Sequence, residues 1–286
     1  MARVREIRDR VAAIKKTQKI TSAMRMISAA RLARAQTAAE SSRAYGAKLT
    51  EIFASVARGL DADAHPLLAR RASVRKLDVL LVTSDRGLCG AYNANLIKAA
   101  VALVADRRAG LDSVSVVAVG KRGRDFCRRR RIDMPKSWTG LAPTPENARE
   151  IAKYVMDRYL AGESDELMIV YGRFVTVLTQ TPTALSVIPV LAAVPEAKDG
   201  PTLSYEIEPD PASFLAAVLP RVIEFAVLRA LLENAASEHG ARMTAMENAT
   251  ENTRELILSL TLDMNKARQT QITTELTEIV AGAEAL

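Results

Sequence analysis

The sequence predicts an α/β domain set between two long terminal helices that pair as an antiparallel coiled coil. Three observations predict it. Both ends of the chain run for more than fifty residues almost without Gly or Pro. Short β-branched runs alternate with helical stretches between them. The two ends also carry opposite charge: residues 1–58 hold 13 Lys and Arg against 4 Asp and Glu, net +9, whereas residues 209–286 hold 6 against 11, net −5.

The first segment, 1–58, has no proline and only Gly46, and is rich in Ala, Arg, Lys, Met and Ile. Such a composition favours uninterrupted helix. Ile7, Val11 and Ile14 follow coiled-coil spacing, and Ile20, Met24 and Ile27 resume it with a shifted phase; beyond them the stripe thins to Ala29, Ala30 and Ala33. At 1.5 Å per residue this helix is about 85 Å long and its C-terminal counterpart about 110 Å, so neither fits inside a small domain.

The central segment, 74–192, reads as strands at Lys76–Ser84, Ser113–Gly120 and Glu166–Tyr171, with a further strand near Ala184–Val190. Helical stretches at Asn93–Arg108, Arg122–Arg130 and Pro145–Leu160 separate the first three, which argues for a mainly parallel sheet. The Pro- and Gly-bearing stretch 195–201 reads as a flexible loop.

The last segment, 209–286, opens with Asp210 as a helix cap and Pro211 in the first turn. Pro220 is expected to kink the helix. Its apolar face takes in Leu215, Val218, Val222 and Phe225, then Met246, Leu256, Leu260 and Met264.

With 4% aromatic residues and a net charge of +7, the chain suits an acidic partner: nucleic acid, anionic lipid or protein. The basic stretches, Arg3 to Lys19 and Arg128 to Arg131, have no interleaved aromatics, so they do not read as a stacking platform for single strands. No window has the eighteen uninterrupted apolar residues of a membrane span, and Met1 leads straight into charged helix rather than a signal peptide. Cys89 and Cys127, with only His65 and His239 as companions, lack metal-ligand spacing and are expected to be buried structural thiols.

One turn invites a functional reading. The first strand runs into SDRGLCGAYN, Ser84 to Asn93, where a nucleotide-binding domain would cradle phosphates. Neither a G-x-G-x-x-G pattern nor a phosphate-loop lysine is present, and a tight strand-to-helix turn accounts for Gly87 and Gly90.

Three motifs carry a resemblance. They are Arg5 to Gln36, with TQKIT at Thr17 to Thr21; SDRGLCGAYN; and the pair Ser237 to Ile257 with Asn265 to Ala283, which includes NKARQ. Together they resemble the gamma subunits of F-type ATP synthases. The resemblance implies a coiled coil of terminal helices plus a Rossmann-like domain that binds no nucleotide, with no metal or other cofactor and no catalytic site. It implies a rotor shaft that couples proton flow through a membrane c-ring to ATP synthesis or hydrolysis at the beta subunits. The implied partners are a ring of three alpha and three beta subunits, the epsilon subunit and the c-ring, with neither nucleic acid nor direct membrane insertion. Met24, Arg268, Gln269, Thr273 and Glu278 match beta-subunit contacts, and Tyr205 and Glu208, from their place just before the last helix, are expected at a foot on the c-ring. The lack of a transit peptide points to a bacterial source and to the cytoplasmic face of the plasma (inner) membrane. Met264, where an aromatic is common, and the Arg128 to Arg131 run depart from the family pattern.

Overall fold

The structure, a computed structural model, describes residues 2–57, 65–68, 71, 73–190 and 210–284. Its order is α1 (Ala2–Ala57), β1 (Lys76–Val82), α2 (Tyr92–Arg107), β2 (Ser113–Val119), α3 (Lys121–Arg130), β3 (Ser137–Trp138), α4 (Pro145–Leu160), β4 (Glu166–Phe174), β5 (Gln180–Ile188) and α5 (Pro211–Glu284). By contacts the chain divides into two units, Met1–Ser28 with Arg242–Leu286, and Ala29–Ala241.

The larger unit is built on a five-stranded sheet of order β3-β2-β1-β4-β5. The β3, β2, β1 and β4 strands run parallel, and β5 turns back antiparallel on β4. The β1 run KLDVLLV is buried on both faces, as a central parallel strand must be. Its Leu77, Val79 and Leu81 pack with Ala100 of α2 and Cys127 of α3. Leu80 and Val82 pack on the opposite face with α4, α5 and Phe53 near the end of α1. Asp78 interrupts the apolar run and is itself buried; Arg158 of α4 holds it with Nε 2.8 Å and Nη2 3.1 Å from the two carboxylate oxygens.

Strand and helix positions agree with the sequence reading to within a few residues. The two-residue β3 and the antiparallel sense of β5 were not legible. Asp210 caps α5 as expected, its Oδ1 accepting from the backbone N–H of Ser213 at 2.9 Å. The helix continues through Pro220. The stretch 195–201, Tyr205 and Glu208 lie outside the described residues.

In this unit α1 and α5 meet where Gly46 faces Phe225. A Cβ on Gly46 would stand 1.9 Å from the phenylalanine ring, so the absent side chain is what lets the helices approach. Tyr45 packs beside the same ring at 5.5 Å between centroids.

In the smaller unit α1 and α5 run antiparallel: the Thr21 and Thr250 hydroxyls are 2.8 Å apart and Arg25 Nη1 donates to Glu247 Oε1 at 3.3 Å. The inward side of α1 here follows an unbroken heptad pattern, with Val4, Ile7, Val11, Ile14, Gln18, Thr21, Arg25 and Ser28 buried or half-buried. This corrects the expected phase shift. Ile20 and Ile27 are 60% and 53% exposed, so the seam does not follow the apolar residues; it keeps its frame and takes polar ones. The reason is local satisfaction: Thr21 finds Thr250, Arg25 finds Glu247, and Ser28 donates to the Met24 carbonyl at 2.8 Å. On α5 the seam uses Ile257, and Leu256 stands 41% exposed outside it. Met246 packs in the seam, as the spacing suggested.

Candidate functional site

At SDRGLCGAYN the chain turns from β1 into α2. Gly90 takes φ 58° and Leu88 φ 61°, the left-handed region that glycine enters freely and leucine seldom does. The turn is tied by Asn93, whose side-chain N–H groups donate to Ser84 Oγ at 2.8 Å and Cys89 Sγ at 3.1 Å, while its Oδ1 accepts from the Ser84 backbone at 3.0 Å. Cys89 is buried by this arrangement. Cys127, also buried, has its thiol pushed up to about 11 by desolvation and stays neutral.

A nucleotide phosphate would need the free N–H groups at the start of α2 or α3. At α3 the protein supplies its own acceptors. Asp85 accepts from the Lys121 N–H at 2.9 Å and the Gly140 N–H at 2.8 Å; Thr83 Oγ1 accepts from Gly123 at 2.9 Å, and the Ser84 carbonyl from Arg122 at 3.1 Å. Tyr92 lies against Gly172, where a Cβ would come 2.2 Å from the hydroxyl, and donates to Asn234 Oδ1 of α5 at 2.7 Å. Ser237 of α5 donates to the Gly172 carbonyl at 2.8 Å. This turn therefore clamps α5 onto the sheet. Asp85, Tyr92, Asn234 and Ser237 were not singled out from the sequence, although all four fall inside or against the quoted motifs.

The other candidate residues lie on the smaller unit. Arg268, Gln269, Thr273 and Glu278 are all exposed on α5, and Met24 is half-buried on α1. Thr273 donates to the Gln269 backbone carbonyl at 3.0 Å. At about 100° per residue Gln269 and Thr273 share one side of the helix, Arg268 stands a quarter-turn away and Glu278 about 180° from Gln269. Met24 is not brought to this group: it lies beside the Thr21–Thr250 contact, and Thr250 is eighteen residues before Arg268, about 27 Å along α5.

A family model described as ATP synthase matches residues 3–286. The ATP synthase gamma chain of Moorella thermoacetica is 45% identical over 289 residues, and that of Desulforamulus reducens 43% over 288, each alignment covering 100% of both chains. The chain belongs to the ATP synthase gamma chain family. Among solved structures, this gamma-family chain resembles one in the Euglena gracilis mitochondrial ATP synthase OSCP/F1/c-ring assembly. The TM-score is 0.66 at 22% identity, covering 99% of this chain and 94% of that one. A chain of the Tetrahymena thermophila central stalk/c-ring structure matches with TM-score 0.62 at 22% identity over 80% of this chain and 99% of that one. These likenesses establish the shared fold. Among the described residues no helix is long and apolar enough to cross a membrane, and no group of three or more His, Cys, Asp or Glu could hold a metal.

Proposed function

We propose that this chain is the central rotor shaft of an F-type ATP synthase. It turns inside a ring of three alpha and three beta subunits and couples proton flow through the membrane c-ring to ATP synthesis or hydrolysis, with no catalytic site of its own. The observation that carries the reading is the outward scatter of Arg268, Gln269, Thr273 and Glu278 around one helix, since a single flat partner could not meet all four. A shaft enclosed by several subunits can, and touches different ones as it turns.

Coupling by rotation requires a stiff element whose contacts with each catalytic conformer differ, because an element that binds all conformers equally shifts no equilibrium. The paired helices supply stiffness and the uneven distribution of charge, amide and hydroxyl supplies the difference. Arg268 offers a forked cation for carboxylate-bearing loops of the beta subunits, and Gln269 an amide that can bind and release. Thr273, Glu278 and Met24 complete the proposed contacts; Tyr205 and Glu208 are proposed to form the foot on the c-ring, with the epsilon subunit beside it. The working location is the cytoplasmic face of a bacterial plasma membrane, peripheral to the bilayer. The spent N–H groups at α3 support a non-catalytic α/β domain.

The test is reconstitution with the alpha and beta subunits of the same organism. One copy of this chain per three beta subunits is expected, with ATP turnover weakened by Arg268→Ala plus Gln269→Ala. A chain that fails to join the ring, or turnover indifferent to the double change, sinks the reading or its contact assignment respectively.

A further inference from the structure

The gap between α2 and α3 has no place in the rotor reading. Over β1 and β2 lies a pocket of about 450 Å³, floored by Val79 and Val116 and walled by Val101, Val104, Phe126 and Ile132. Its size is in the range of small-molecule sites, which run from about 300 to 1,000 Å³. The space exists because α2 lines it with short side chains, Ala100, Val101, Val104 and Ala105, and because α3 is just 10 residues long. Val101 stays 48% exposed at its edge, and Cys127 in its wall is a neutral, apolar surface.

The mouth has a directional charge. Arg108 lines it and, among the described residues, forms no ion pair, whereas the adjacent Arg107 is held by both oxygens of Glu166 at 3.0 and 2.5 Å. Two carboxylates also line the pocket: Asp112 stands 3.8 Å from Arg75, both side chains exposed, and Asp133 accepts from the Ser115 hydroxyl. Arg131, exposed, directly precedes Ile132 in the wall. Of the charged groups on the lining, Arg108 is the one that can donate to an anion, and the interior is apolar.

We propose that this pocket binds a free fatty acid, its acyl chain between α2 and α3 and its carboxylate at Arg108. A guanidinium at an apolar mouth favours a planar carboxylate through paired N–H donors and gives no comparable gain to an alcohol of the same length. The site belongs to the α/β domain alone and does not depend on the rotor assignment.

The experiment titrates the full-length chain with dodecanoate and dodecanol below their aggregation limits, following binding calorimetrically and the melting temperature in parallel. Dodecanoate is expected to saturate, raise the melting temperature and bind at least about tenfold more tightly than dodecanol. Arg108→Ala should remove that preference, and Arg108→Lys should restore part of it. Val101→Trp should block both ligands by filling the mouth; Ala105→Trp, at another exposed lining position, serves if the first variant melts early. Non-saturating binding, equal affinity for acid and alcohol, a preference that survives Arg108→Ala, or full binding in a folded mouth-blocked variant would each overturn the proposal. So would capture by phosphatidylglycerol vesicles without any binding of monomeric dodecanoate, which would make the ligand a membrane lipid.

Discussion

The hydroxyls of Thr21 and Thr250 stand 2.8 Å apart across the antiparallel seam. Either hydroxyl can donate across the seam, since each also lies within reach of a carbonyl of its own helix, Thr250 of Met246 at 2.7 Å and Thr21 of Gln18 at 3.1 Å. Replacing one with valine removes the bond across the seam and leaves the other hydroxyl its own-helix carbonyl, while replacing both removes no further cross-seam bond. Thr21→Val or Thr250→Val alone is expected to cost about 1 kcal/mol, and the double variant less than the sum, with a coupling of at least about 0.5 kcal/mol. A double-mutant cycle by thermal or urea unfolding of the full chain measures it; strict additivity would dissolve the pair.

Asp85 occupies the start of α3, accepting from the Lys121 and Gly140 backbone N–H groups as an anion there would. Asp85→Ala should destabilise the α/β domain by about 1–3 kcal/mol, since two N–H groups lose a charged acceptor. Millimolar inorganic phosphate should recover part of the loss in the variant and leave the parent unchanged, as read by urea midpoints.

Gly172 gives Tyr92 room to reach α5. Gly172→Ala is expected to cost about 1–3 kcal/mol by overpacking, because the new methyl would meet the tyrosine hydroxyl and ring together. Gly110→Ala, with open space around it but φ of 97°, separates backbone strain from crowding. If Gly172→Ala is no worse than Gly110→Ala, the crowding argument fails.

Asp78 and Arg158 form a buried pair whose members depend on each other. Burial pushes the Asp78 carboxyl up, and the hydrogen bond to Asp78 pushes Arg158 up. Asp78→Ala should cost about 1–3 kcal/mol, since Arg158 loses two buried hydrogen bonds but keeps Glu163 at 2.6 Å, and Asp78→Leu with Arg158→Met less. Equilibrium unfolding of the three proteins decides it.

Neither cysteine should react in the native chain. With its thiol near 11, Cys127 is ionised to about one part in a thousand at pH 8, and both sulfurs are buried. An aromatic disulfide reagent should release two equivalents only on unfolding; a fast native equivalent would contradict the packing at the turn or at α3.

Local chemistry made much of the fold legible. The β-branched runs of β1, β2 and β4, the Asp210 cap and the proline-free ends each declare an element within a few residues, because those choices act through nearest neighbours. The motifs likewise pointed to Arg268, Gln269, Thr273 and Glu278. Other features were decided only at a distance. Apolar spacing at Ile20 and Ile27 suggested a shifted seam, yet the helix keeps its heptad frame with Thr21 buried and Arg25 half-buried, their partners more than two hundred residues away. The β3 strand is two residues long and β5 takes its direction from pairing with β4, so neither has a signature of its own. The directions in which the four α5 residues point follow from helix phase, and the role of Asp85 from Gly140 arriving beside it. The sequence by itself determined which elements form and which family motifs they bear. The tertiary structure decided what faces what, because a polar side chain is buried or exposed according to whether a distant segment brings it a partner.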